Sequence, residues 1–323
     1  MNDILYSIIT PVFNREDCVA RCIESVCRNY RNTPIFEHII VDDGSQDNSV
    51  SIIEKYAAKY PHIQFLKFSH NHGVNAARNA AIDKAKGKWC ILLDSDDYFV
   101  DDALKTISAT MKVNPNYKHY MFTPNDMQDY FKVNAVILGA SQKILSYKDF
   151  LSGNIGGDFI HVCNTAILRK HPFNEGLRIY EGVFFLMFYR DAQKMLFTNK
   201  VVTIRERNRE DSISKDFLRT SDIVIKRTIL YNEIYLQNFK QDLLENGLNN
   251  ILHKRYLMLL ENYVLLGNYK DANVLISKMG VPLNMKDKLL RIIVAFKVGK
   301  LYKLAMQMYL YVKYKTLKKK MRV

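Results

Sequence analysis

The chain lacks any apolar run long enough to cross a bilayer, any Cys-x-x-Cys pair and any basic, apolar leader at its start. Each absence excludes something. A spanning helix needs about 20 consecutive apolar residues, so no transmembrane segment is expected. The five cysteines (Cys18, Cys22, Cys27, Cys90 and Cys163) are odd in number and unpaired in spacing. That argues against a zinc site and for buried free thiols in a reducing compartment. Met1-Asn2-Asp3-Ile4-Leu5 carries no export-type signal, so a cytoplasmic protein is expected. Acids are scarce at the other end. From Met285 to Val323 a single acid, Asp287, faces twelve Lys/Arg, a local charge of +11 within a formal total of +14. The rest of the chain is nearly neutral, which excludes nucleic-acid binding for the body of the protein.

What is present is 48% hydrophobic residues in a chain of 323, enough for one large domain or two modest ones. The most informative stretch is Trp89-Cys90-Ile91-Leu92-Leu93-Asp94-Ser95-Asp96-Asp97. A short apolar run, read as a buried strand, ends in three carboxylates. Carboxylates this close repel one another unless a cation joins them, and a hard divalent ion held by oxygen is the natural guest. Helix capping would account for Asp97, Asp101 or Asp102, ahead of a helix expected over 101–112. It accounts poorly for Asp94 and Asp96.

Strand and helix alternate from the start. Strands are expected at 6–11, 36–41, 63–68 and 89–93, with helices at 16–29, 49–60 and 76–86 between them. This is the pattern of a parallel, doubly wound sheet. Right-handed crossovers then bring every polar loop that follows a strand to one edge, where such sheets bind ligands. Further strands are expected at 119–123, 132–138 and 200–207. A short helix or turn is expected from Ser146, and an apolar helix after Glu181. From Thr220 onward the pattern is helical: 223–244, 252–266, 269–279 and 285–315.

Four loops carry a recognisable set: Pro11-Val12-Phe13-Asn14, Val41-Asp42-Asp43-Gly44-Ser45, Asn71-x-Gly73-x-x-x-Ala77-Arg78-Asn79 and Leu93-Asp94-Ser95-Asp96-Asp97. Together they resemble the nucleotide-sugar-binding half of a family 2 glycosyltransferase of the bacterial surface-polysaccharide type. The resemblance implies a GT-A fold, a Rossmann-like mixed sheet flanked by helices, over residues 1–218. Residues 1–115 would be its nucleotide-sugar-binding half and 116–218 its acceptor half. A helical region, 219–323, would follow, with a basic tail, 285–323, that associates with an anionic membrane surface. The resemblance also implies donor binding by Pro11, Phe13, Asn14, Asp42, Gly44, Arg78, Asp94, Ser95, Arg207 and Arg209. Asp42 would accept a hydrogen bond from a pyrimidine imide, leaving turn formation to Asp43. Gly44 would admit close backbone approach to the ligand, and Arg78 would fork the diphosphate oxygens. Asp94 would face the ribose side. Asp96 would hold Mn²⁺ or Mg²⁺, which neutralises the departing diphosphate.

Inverting transfer to a hydroxyl also needs a general base. In the resemblance this falls at Ile179-Tyr180-Glu181-Gly182, so Glu181 is the candidate while Gly182 stands where the family usually has Asp. Asp158 and Glu175 are fallbacks, a helix-capping role is the competing explanation of Glu181, and His161 and Asp158 could reach an acceptor. The Gln-x-x-Arg-Trp motif of processive members is missing, which favours transfer of one sugar. The expected reaction moves a hexose or N-acetylhexosamine from a nucleoside diphosphate, UDP favoured, to a lipid-linked glycan of the O-antigen or capsule kind. The protein would then sit on the inner face of the plasma membrane. A helix over 297–312 with Val298, Leu301, Tyr302, Ala305, Tyr309 and Val312 on one face suits an anionic membrane surface, or a packed helix with a solvated basic end. A non-catalytic donor-binding protein is the alternative. A nucleotidyltransferase is disfavoured because Thr10–Asn14 contains no glycine.

Overall fold

A computed structural model describes residues 4–29, 35–134, 136–177, 180–205, 221–281 and 284–320, with side chains to 313. The chain forms two compact units, Met1–Asn208 and Arg209–Val323. The expected boundary at 218/219 lies outside the described residues.

The first unit is built on a nine-stranded sheet. Its strands are β1 (Tyr6–Val12), β2 (Phe36–Asp42), β3 (Ile63–Lys67), β4 (Trp89–Leu92), β5 (Tyr98–Phe99), β6 (His119–Pro124), β7 (Gln142–Ser146), β8 (Ile160–Asn164) and β9 (Lys194–Ile204). The order is β3-β2-β1-β4-β8-β6-β9-β5, with β7 also paired to β9. The helices are α1 (Val19–Arg28), α2 (Ser49–Lys59), α3 (Val74–Lys84), α4 (Ala103–Val113), α5 (Gln128–Val133), α6 (Tyr147–Leu151), α7 (Thr165–Lys170) and α8 (Gly182–Ala192). β1 to β4 run parallel, as crossover helices require, whereas β8 is antiparallel to both β4 and β6. The sheet is therefore mixed.

Every residue of β1 and β2 is buried. Strands covered on both faces read as near-continuous apolar runs, and their few polar residues must find partners inside. Ser7 Oγ donates to Glu37 Oε1 at 2.6 Å, and Thr10 Oγ1 pairs with His38 Nε2 at 2.9 Å. Gly87 N donates to the same Ser7 hydroxyl at 2.8 Å, and a Cβ on Gly87 would lie 2.5 Å from Ser7 N. The approach of chain to strand at that point admits only glycine. All five cysteines are free, as expected, and burial pushes the Cys90 thiol up to about 12.

The second half of this unit departs from expectation. Residues 132–138, expected as a strand, end α5 and enter a turn. Asn134 Oδ1 accepts from Val136 N at 3.0 Å and Ile137 N at 3.1 Å, an Asx turn that stops the helix. Its apolar residues are anchors rather than a strand face: Phe131 and Ile137 are buried while Val133 and Leu138 are exposed. β5, β7 and β8 were not expected at all. α6 follows a capping box in which Ser146 and Asp149 bond each other's backbone.

The second unit contains α9 (Asp222–Glu245), α10 (Asn249–Leu266), α11 (Tyr269–Met279), α12 (Met285–Phe296) and α13 (Gly299–Lys320). The single helix expected over 285–315 is broken between α12 and α13, where Lys297 takes a left-handed φ of 55°. Tyr269 secures this break: its hydroxyl donates to Lys297 O and accepts from Gly299 N, both at 2.8 Å. A Cβ on Gly299 would meet Val264 O at 2.3 Å. Among the described residues no helix is long and apolar enough to cross a membrane.

His38 and His119 lie fully buried in the first unit, each with a buried Nδ1 that has no partner. Burial holds His38 down to about 3 and His119 well below its ordinary value. The folded chain therefore refuses protons that the unfolded chain accepts below its ordinary pKa of about 6.5. Stability should be fully present above that pH. It should fall by about 1.4 kcal/mol per pH unit for each such histidine as the pH drops towards 3. Urea denaturation between pH 7 and 5 should show this slope, and His38→Gln should flatten it.

Candidate active site

The loops that follow β1, β2 and β3 are tied to one another. Asn14 has a left-handed φ of 52°. Its N–H donates to Ser45 Oγ at 2.9 Å, and its Oδ1 accepts from Gln46 N at 2.8 Å. Phe13 beside it is 39% exposed, a large side chain left on the surface next to this clasp.

Asp42 and Asp43 are both buried and do different work. Asp42 Oδ2 accepts from Gly44 N at 3.1 Å and Ser45 N at 2.9 Å, so it is Asp42 that shapes the turn. Its Oδ1 is buried with no hydrogen-bond partner. Asp43, expected as the turn former, reaches the next loop instead. It accepts from Asn71 Nδ2 at 2.9 Å, His72 N at 2.6 Å and Gly73 N at 2.8 Å. Gly44 is required for a different reason from the one expected. A Cβ there would lie 2.5 Å from the His70 carbonyl carbon, and φ is +75°. The close approach is to the neighbouring loop.

The acidic turn after β4 is half open. Asp94 is exposed, Ser95 is buried, and Asp96 and Asp97 are intermediate. Asp97 does not cap a helix, because β5 intervenes before α4 begins at Ala103. Burial, with Asp94 and Asp96 adding repulsion, pushes the Asp97 carboxyl up to about 8. The turn thus holds more negative charge than its surroundings offset, and a cation would relieve it. No group of three His, Cys, Asp or Glu among the described residues is arranged to hold a metal ion alone. An ion here would need oxygens from a ligand as well as Asp96.

Arg78 on α3 is 8% exposed and lies 5.5 Å over the Phe173 ring. Its two terminal nitrogens are committed. Nη2 donates to Asp94 Oδ1 at 2.8 Å, and Nη1 donates to Glu181 Oε1. The fork expected to meet a diphosphate instead joins two carboxylates from opposite halves of the unit. Glu181 stands at the head of α8 but makes no side-chain cap, which removes helix capping as its explanation.

Sequence reading missed two residues that support this bridge. Asn75 Nδ2 donates to Asn174 O at 2.9 Å and Leu177 O at 2.7 Å. Asn79 exchanges hydrogen bonds with Phe173 N at 2.8 Å and Phe173 O at 2.9 Å. With Arg78 between them, one face of α3 holds the segment 173–177 that leads to Glu181. The signal was the i, i+3, i+4 spacing of Asn75, Arg78 and Asn79, which puts all three on one face of a helix.

His161 on β8 is packed rather than open. It shares a hydrogen bond of 3.0 Å with His119 and stacks on Phe185, and burial holds its imidazole down to about 3. Asp158 is ion-paired to Arg205 at 3.2 Å, and Arg205 also holds Asp126 at 2.8 Å. Arg205, at the end of β9, was not singled out from sequence. Arg207 and Arg209 lie outside the described residues.

A mixed sheet of this order, with its polar loops gathered at one edge and a helical region beyond, is the GT-A fold. S. aureus TarS in complex with UDP-GlcNAc superposes with a TM-score of 0.64, covering 95% of this chain and 91% of that one at 17% identity. The mannosyltransferase PcManGT from Pyrobaculum calidifontis, in complex with GDP-Man and Mn²⁺, superposes with a TM-score of 0.57 over 95% of this chain and 84% of that one at 14% identity. Both identities are low enough that these likenesses show the fold alone. In sequence, the family described as glycosyl transferase family 2 matches residues 7–172, and the chain belongs to that family and is a glycosyltransferase. The Campylobacter jejuni GalNAc(5)-diNAcBac-PP-undecaprenol β-1,3-glucosyltransferase is 27% identical over 212 residues, 64% of this chain. The match spans 66% of that relative's length.

Gly44→Ala should destabilise the first unit by about 1–3 kcal/mol, the cost of forcing a side chain into a left-handed site against backbone. Urea denaturation measures it. A loss within error would show that the contact with His70 can relax.

Proposed function

We propose that this glycosyltransferase is metal-dependent and inverting, and moves one sugar from a nucleoside diphosphate, UDP favoured, to a hydroxyl of a lipid-linked glycan. The observation that carries the reading is the occurrence of an unpartnered, buried Asp42 Oδ1 at the end of β2 together with the half-open acidic turn after the nearby β4. An orphaned buried acceptor costs free energy until a donor arrives, and a pyrimidine imide N–H supplies one. Uracil N3–H is a donor of this kind, in keeping with the UDP-GlcNAc bound by TarS. Pro11, Phe13 and Asn14 border the base and ribose, and Gly44 and Ser95 shape the adjoining loops.

Asp96 would hold Mn²⁺ or Mg²⁺, with Asp94 beside it on the ribose side. When bound, the ion supplies positive charge to the leaving diphosphate. The residues of the chain orient the rest. The acceptor oxygen attacks the anomeric carbon as the bond to the diphosphate breaks, which inverts that carbon. The acceptor proton passes to Glu181, whose carboxylate is about one-third exposed and is held in position by Arg78. Arg207 and Arg209 assist the diphosphate.

The lipid-linked acceptor follows the undecaprenol-linked substrate for which the Campylobacter relative is named, and implies work at the inner face of the plasma membrane. Gly182 favours a second reading, a donor-binding protein that does not turn over.

Titration with UDP and Mn²⁺ should give binding that Asp96→Ala loses when the metal is present. Asp42→Asn should weaken UDP about 10-fold or more, since one hydrogen bond to a charged group is worth about 1.5–3 kcal/mol. Glu181→Gln should keep donor binding and lose transfer by about 100-fold or more. Unchanged UDP affinity in Asp42→Asn would overturn the base-recognition role. Binding without turnover on any lipid-linked acceptor would favour the second reading.

A further inference from the structure

The second unit leaves an unusual amount of apolar surface uncovered, and it is concentrated on α12 and α13. On α12, Met285, Leu289, Ile292 and Phe296 recur at intervals of three and four residues, which places them on one face. All four are exposed, Phe296 by 74%, while Leu290, Ile293 and Val294 on the other face are buried. On α13, Leu301, Leu304, Met308 and Val312 repeat the spacing, and each is more than half exposed. Runs of exposed apolar side chains on consecutive helices mark a surface that binds something.

The charges around these stripes say what. Asp287, the one acid among the twelve Lys/Arg of 285–323, is fully buried and bonded to Arg291 at 2.7 Å. Lys288, Lys297, Lys300 and Lys313 are exposed beside the stripes. A second copy of this chain would bring the same charge of +11 to the contact and repel it. An anionic lipid surface is attracted by the cations and accepts the apolar side chains at the depth of its headgroups.

We infer that α12 and α13 together form a lipid-docking face that inserts Met285/Leu289/Ile292/Phe296 and Leu301/Leu304/Met308/Val312 into an anionic bilayer surface. The face differs from the one expected at 297–312. Tyr302 is turned inward, where its hydroxyl donates to Glu261 at 2.7 Å, and Lys303 is bonded to Asp222 at 2.6 Å. α12 lies within the basic 285–323 tail expected to meet the membrane, and its apolar row adds to the face expected on 297–312. This inference rests on the membrane-facing part of the reading above and is independent of its chemistry.

Flotation of the full chain with phosphatidylglycerol–phosphatidylcholine vesicles tests it, with phosphatidylcholine vesicles alone as the neutral surface. Binding to the anionic vesicles should exceed binding to the neutral ones and should fall as salt is raised. Ile292→Asp/Phe296→Asp should weaken flotation by at least about 10-fold. Lys297→Gln/Lys300→Gln should weaken it by about fivefold for each charge removed. These side chains are exposed, and an unchanged circular dichroism spectrum with unchanged UDP binding confirms that each variant folds. Flotation of the Asp variant equal to that of the parent chain overturns the inference. So does a dimer in solution that the same variant dissolves, because the stripes would then be a subunit contact. Failure of transfer with intact flotation refutes the chemistry and leaves the docking face standing. Loss of flotation with transfer to a soluble acceptor intact supports the face as a docking device.

Discussion

The first unit depends on the two bonds made by Arg78. A guanidinium this buried survives because both terminal nitrogens meet carboxylates, Asp94 from the acidic turn and Glu181 from the head of α8. Removing one partner leaves the guanidinium with a single carboxylate, and only the loss of both would leave a buried charge uncompensated. The bridge therefore does more than hold two loops. It fixes the distance between the turn proposed to bind the donor and the carboxylate proposed to receive a proton. Asn75 and Asn79, at i, i+4 on the same face of α3 as Arg78, reinforce the same constraint by holding the backbone that leads to Glu181.

Neighbouring residues of one chemical type are separated in role by the hydrogen bonds they receive. Asp42 and Asp43 are adjacent, buried and identical in composition. Three donors, two of them backbone N–H groups, satisfy Asp43 and make it a fastener between loops. Asp42 receives two N–H groups on one oxygen and none on the other, which is what suits it to the base-recognition role proposed for it. The acidic turn shows the same logic with charge. Asp94 is paired with Arg78, while Asp97, deeper and beside two like charges, is pushed up to about 8.

The first half of the fold was legible because β1, β2 and β4 are almost wholly buried and each strand from Tyr6 to Leu92 is bounded by a polar loop. Periodicity and punctuation then agree. The second half hid its strands. β7 is mostly exposed, as Gln142, Lys143 and Ile144 show, and β5 is only two residues long. Antiparallel strands added to a parallel core need no regular crossover, so nothing in their spacing announces them. The site was legible as residues but not as bonds. The motif around Arg78 gave the position, and only the fold reveals that its fork is already filled. Arg205 left no signal because it stands alone at a strand end, and its partners Asp126 and Asp158 are far away in sequence.

In the second unit the acids decide which cations remain outward. Glu261 takes Lys286 at 2.7 Å and also receives the Tyr302 hydroxyl, and Asp222 takes Lys303 at 2.6 Å. Asp287 is used entirely inside, between Arg291 and His253. None of these acids therefore sits among the exposed lysines of α12 and α13 to cancel their field. A basic run with its acids interleaved would have been a solvated, salt-bridged surface with little net potential. Here the one acid of the run is internal, so the exposed charge keeps a single sign along two helices whose outward apolar rows are uncovered. Charge of one sign and uncovered apolar area are each costly alone in water, and an anionic lipid surface is the environment that satisfies both together.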